Sequence, residues 1–94
     1  MQSMFRIVLD CDVADLSHEI AEQAANDIAE EFAHRPWQTN VRCTWANPRL
    51  RLVTENDYDN YGLATREEFS NALAACVEMY ARVGDIRIMS ITES

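Results

Sequence analysis

The hydrophobic pattern of this chain switches repeatedly between a period of two and a period near four, and each switch fixes the kind of element that can form. Over residues 4 to 10, Phe5, Ile7 and Leu9 alternate with Arg6, Val8 and Asp10, the signature of a half-buried strand. From Asp12 or Asp15, either of which can cap a helix, Leu16, Ile20, Ala24, Ile28 and Phe32 recur every four residues, with Ala21, Ala25 and Ala29 beside them. Pro36 stops that helix near Arg35, and His34 and Arg35 suit the negative end of its dipole. Val41, Cys43 and Trp45 then alternate with Arg42 and Thr44. A turn at Ala46-Asn47-Pro48 follows, and Leu50 and Leu52 alternate with Arg49, Arg51 and Val53, which reads as a hairpin. Thr65 and Glu68 form a capping box at the head of a second helix, whose stripe of Phe69, Ala72, Leu73, Cys76, Val77 and Tyr80 ends at Gly84. Ile86 and Ile88, alternating with Arg87, Met89 and Ile91, make the last strand.

This β-α-β-β-α-β order resembles the ferredoxin-like sandwich, an α+β fold with a four-stranded antiparallel sheet and two helices on one face. The resemblance lies in element order over nearly the whole chain and implies no particular activity, because the fold hosts enzymes, regulators and inhibitors alike. Ninety-four residues leave room for a single domain, 1–94, and a hydrophobic content of 48% lets it fold without metals or disulfides.

Charge and composition exclude several chemistries. The formal charge is −8, which opposes direct binding to nucleic acid or to an anionic membrane. All eight basic residues are Arg; without Lys there is no Schiff-base nucleophile and no P-loop, and two Gly do not make a nucleotide cradle. Cys11, Cys43 and Cys76 are widely spaced and odd in number, as in a reducing, cytoplasmic setting, and the N-terminal apolar run is too short for a signal peptide or a span. His18 and His34 have no metal-ligand spacing.

Alternation places Arg6, Arg42, Arg49, Arg51 and Arg87 on the sheet face away from the helices, among Val8, Val53, Met89 and Ile91. Between Arg6 and Arg35 lie eight carboxylates and no Arg, so the domain is expected to be basic on its sheet and acidic on its helices. The arginine-lined face reads as a solvated surface, as a protein interface that includes a homodimer, or as an RNA-binding sheet lacking the stacking aromatics. The small dimeric α+β-barrel monooxygenases are similar in size and element order, but pairing of that kind would bury these arginines, and unpaired buried charge costs several kcal/mol.

Residues 57 to 68 resemble an EF-hand calcium loop, with Asp57, Asp59, Gly62, Thr65 and Glu68 at matching positions, Tyr61 in place of an oxygen ligand, and a strand instead of the entering helix. Calcium through Asp57, Asp59 and Glu68 is the one cofactor the sequence suggests. The same loop reads as a recognition patch through Asp57, Tyr58, Asp59 and Tyr61, with Trp37 as part of another. For catalysis the best local arrangement is Cys11-Asp12 with His18, yet Asp10, Asp12 and Asp15 would raise that thiol's pKa. The sequence therefore points to a non-enzymatic protein-binding domain. Glu19, Glu22, Asp27, Glu30 and Glu31 on the first helix would imitate a phosphate backbone and occupy the basic groove of a nucleic-acid-handling complex, as in phage or mobile-element inhibitors of the anti-CRISPR kind, which it resembles in size and acidity. The alternatives are a homodimeric α+β-barrel enzyme or ligand-sensing domain, and a calcium-binding module.

Overall fold

The computed structural model describes residues 3–94. The elements are β1 (Phe5–Val13), α1 (His18–Ala33), β2 (Thr39–Ala46), β3 (Arg49–Asn56), α2 (Leu63–Cys76) and β4 (Val83–Glu93). They form one antiparallel sheet in the order β2-β3-β1-β4, the ferredoxin-like arrangement expected from the element order. The core lies between sheet and helices: Ile7, Leu9, Cys11 and Val13 of β1 and Leu50 and Leu52 of β3 meet Ala24, Ala25, Ile28 and Phe32 of α1 and Phe69, Ala72 and Leu73 of α2.

Several boundaries differ from the sequence expectations, each for a local reason. β1 runs on to Val13, whose amide donates to the Pro48 carbonyl at 2.7 Å. Helix α1 is capped by Ser17, whose hydroxyl accepts from the Ile20 amide at 3.3 Å, and not by Asp12 or Asp15. Ala21 takes the inward position and leaves Ile20 exposed. Helix α2 ends at Cys76, well before Gly84; a turn follows, Tyr80 is exposed, and Gly84 belongs to β4.

The capping box also gives way. Thr65 lies within the helix, fully buried, where its hydroxyl accepts from Asn56 Nδ2 at 3.1 Å. The helix amides are met instead by the Asp59 carboxylate, which accepts from Thr65 N at 2.7 Å and Ala64 N at 3.3 Å.

In β4 the pairing shifts between Ile88, opposite Leu9, and Ser90, opposite Val8, so Met89 is an extra residue. Every side chain beyond it changes face. Ile91, expected on the open face, therefore turns to the helices and stands opposite Ile7.

There it meets the start of α2. Gly62 has φ +75°, and a Cβ on it would lie 3.1 Å from Ile91 Cδ1 and 3.4 Å from Ile88 Cδ1. The backbone angle strains any residue with a Cβ, and the close approach would require Ile91 to give by a few tenths of an ångström. Gly62→Ala is expected to lower the unfolding free energy by about 1–2 kcal/mol in urea titrations, the cost of a left-handed conformation for a residue with Cβ.

Candidate functional site

The open sheet face carries the arginines that alternation put there, but it is not simply basic. Asp10 and Asp12 project from the same side of β1, and Asp10 is completely buried. In the register Asp10 stands between Arg51 of β3 and Arg87 of β4. Arg51 Nε donates to Asp10 Oδ1 at 2.7 Å and Arg51 Nη2 to Oδ2 at 2.9 Å, a bidentate charge-assisted pair. Arg87 donates twice to Asp12, at 3.0 and 3.2 Å, and Arg49 Nε lies 3.5 Å from Asp12 and 3.8 Å from Asp10. Arg6 stands opposite Glu55, and Arg6 and Arg42 make no ion pair within 4 Å among the described residues. The hydrogen bonds from Arg51 hold the Asp10 carboxyl below its ordinary value, and those from Arg87 do the same for Asp12. The parity that revealed the arginines marks the two aspartates equally well, and they were the missed half of the pattern.

A second polar cluster joins the helices to the sheet. Thr54 and Asn56 occupy core positions on β3 and are fully buried. Their side chains donate to Gln38 Oε1 at 2.8 and 3.2 Å, and Gln38 Nε2 donates to Glu68 Oε2 at 2.9 Å. Glu68 collects three further donors: Trp37 Nε1 at 3.0 Å and Arg35 Nε at 3.0 Å on Oε1, and the Tyr58 hydroxyl at 3.3 Å on Oε2. Burial, together with the Glu68 charge, pushes the Tyr58 phenol up to about 12. Polar residues at core parity, Thr54 and Asn56, were the available sequence signal for this cluster.

This geometry does not fit a calcium loop. The Glu68 carboxylate is taken by four donors and that of Asp59 by two helix amides, so the oxygens a cation would need are already engaged. Among the described residues no set of three or more His, Cys, Asp or Glu could hold a metal ion. Of the loop residues read as a recognition patch, Asp57, Tyr58 and Tyr61 are exposed, whereas Asp59 is buried in its capping role.

Two clefts flank α2. One, of about 410 Å³, runs along the seam with β4 over Leu63, Leu73, Val83 and Ile86, with Arg66, Ser70 and Asp85 at its rim. The other, of about 570 Å³, lies between Trp37 and Tyr58 over Ala64, with Glu67, Glu68 and Asn71.

The acids of α1 do not form one open face. Glu19, Glu22, Glu30 and Glu31 are exposed, whereas Asp27 is half-buried and accepts from Gln23 at 2.9 Å. Glu22 lies 3.5 Å from His18 and Glu31 3.7 Å from Arg35. Cys11 does not meet the demands of a nucleophile: it is fully buried, burial raises its pKa, and its thiol lies 3.4 Å from the Gly84 carbonyl. No helix among the described residues is long and apolar enough to cross a membrane.

The sequence matches no protein-family model and no curated protein. Its fold is nevertheless similar to solved structures. A conserved Bacteroides thetaiotaomicron protein of unknown function, described as a possible oxidoreductase, superposes with a TM-score of 0.58 at 11% identity over 100% of this chain and 98% of that one. A putative antibiotic biosynthesis monooxygenase from Bordetella bronchiseptica gives 0.54 at 16% identity, covering 92% and 96%. A dimeric protein of unknown function with a ferredoxin-like fold from Bacteroides fragilis gives 0.55 at 16%, covering 97% and 94%. These likenesses, to a possible oxidoreductase and a putative monooxygenase, overturn the reading of the chain as a nucleic-acid-mimicking inhibitor.

The sheet-face network predicts an acid-sensitive fold. Asp10 and Asp12 are held below the ordinary value of 3.8, so their stabilisation is complete above that pH and is lost as pH falls through the lower values of the folded state. Asp10→Asn is expected to lower the unfolding free energy at pH 7 by about 1–3 kcal/mol and to flatten its pH dependence below pH 4, read from urea titrations across pH.

Proposed function

We propose that this chain is a homodimeric α+β domain of the enzyme or ligand-sensing class, in which two copies pair through their open sheet faces and the α2–β4 cleft of each takes a small organic molecule. The observation that carries the reading is the partial neutralisation of the sheet face by Asp10 and Asp12. Burying charge in a dimer is costly when the charge is unpartnered. Here Arg49, Arg51 and Arg87 already pair with Asp10 and Asp12, which leaves Arg6 and Arg42 as the arginines of the face without an ion pair among the described residues and reduces the electrostatic objection to sheet-on-sheet packing.

Size and shape support it. Strands of eight to eleven residues, four abreast, present roughly 500 Å² or more in projection, of the order that each partner in a stable dimer buries. Val8 and Val53 stand opposite each other near the middle of the face, an apolar centre rimmed by arginines, which is the usual anatomy of an interface. The dimeric state of the Bacteroides fragilis protein and the names of the other two are in keeping with this class.

The cleft follows from the way α2 sits on the sheet. Val83 and Ile86 of the edge strand β4 are only half-buried, so with Leu63 and Leu73 of α2 they give the seam an apolar floor, with Arg66, Ser70 and Asp85 to orient a ligand.

Light scattering after size exclusion is expected to give twice the 10.8 kDa of the chain at micromolar concentration, and Val53→Asp to give the folded monomer. A wild-type monomer under those conditions would overturn the pairing. Nile red, a neutral apolar dye, is expected to brighten saturably at about one molecule per chain. Ser70→Trp, which fills the cleft, is expected to abolish the response; an unchanged response places the dye elsewhere and defeats the cleft assignment.

A further inference from the structure

The cleft between Trp37 and Tyr58 has Glu67 in common with the α2–β4 seam but none of the seam's other lining residues, and neither the sheet face nor the dimer depends on it. We propose that it binds an organic cation, a methylated ammonium head held between the two aromatic side chains beside the Glu67 carboxylate.

The walls are built for ring contact. Trp37 and Tyr58 are each about half exposed, at 47% and 45%, yet both spend their polar atoms inward on the two oxygens of one carboxylate, that of Glu68. What they offer to solvent is therefore ring surface. The anchor is firm, because Glu68 is held by Gln38, which is 4% exposed and in turn accepts from Thr54 and Asn56. Walls fixed before the ligand arrives lose little freedom on binding. Ala64, the smallest side chain lining the cleft, keeps the space between them open, and about 570 Å³ suits a small molecule.

Charge selects the ligand. The residues lining the cleft include two carboxylates and no basic side chain. Arg35 answers Glu68 at 3.0 Å, while Glu67 makes no ion pair within 4 Å among the described residues. One negative charge beside two aromatic side chains attracts a cation and repels an anion, and a weakly hydrated ammonium gains most from ring contact. The chain's formal charge of −8 adds to the same field.

Choline and its uncharged carbon analogue 3,3-dimethylbutan-1-ol are the probes, titrated calorimetrically and by fluorescence in a Trp45→Phe background, where Trp37 is the remaining indole. Choline is expected to saturate at one per chain and to bind about tenfold or more tightly than the alcohol. Trp37→Leu is expected to weaken choline by about tenfold and Glu67→Gln by about threefold, while Tyr58→Phe, which keeps the ring and loses only the hydroxyl, stays within about threefold of the parent. Circular dichroism establishes that each variant is folded. Equal binding of choline and the alcohol, no saturation by choline up to about 10 mM, or a folded Trp37→Leu protein that binds as well as the parent would each overturn the proposal. Because Ser70→Trp fills the other cleft, choline binding is expected to survive in that variant, which separates this site from the α2–β4 seam.

Discussion

The Asp10–Arg51 pair is the interaction around which the sheet is organised. β1 is an inner strand, paired on both sides, and its inward residues make the centre of the core. A carboxylate on that strand, with none of its surface exposed, is tolerable only because a guanidinium from β3 meets both of its oxygens. The pair in turn fixes which arginines gather around β1, and Asp12 repeats the device one step further along with Arg87 and Arg49. Charge that looks like an open basic patch is thus largely an internal bond of the sheet.

The Glu68 cluster does for the helical layer what Asp10 does for the sheet. It ties the end of α1, through Arg35 and Trp37, to the start of β2, through Gln38, and to α2 itself. Buried polar networks of this kind are worthwhile when every member is satisfied, and no buried side-chain nitrogen or oxygen lacks a partner among the described residues. Helix α1, thus anchored, lies over β2 and β3, while α2 covers β4 less completely and leaves the seam that the apolar floor lines.

The element order and the sheet were legible because periodicity reports which face is buried, and Ile7, Leu9, Leu50, Leu52, Phe32 and Phe69 all lie where it put them. Helix limits were less legible, since Ser17 and Asp59 were passed over for Asp12, Asp15 and Thr65, all of which are good caps in isolation. Which carboxylate reaches an amide depends on the turn before the helix, here one that passes through Gly62 in the αL conformation. The site was half legible: alternation found the arginines, but counting charges along the chain hid the fact that Asp10 and Asp12 sit among them. Glu68 was assigned to a local pattern of spacing, whereas its partners Arg35, Trp37 and Gln38 lie more than thirty or about thirty residues away, at separations a local motif cannot express.

A strand has a reading frame of two, and Met89 is a frameshift within it. Before it, Ile86 and Ile88 are in frame with the core; after it, the inserted residue brings Ile91 back to the helices and puts Ser90 beside Val8 on the open side. Side-chain facing in the last third of β4 is therefore set by residue count as much as by residue kind. Deleting one residue there would turn Ile91 outward and strip the start of α2 of its contact, though no hydrophobic residue had been lost.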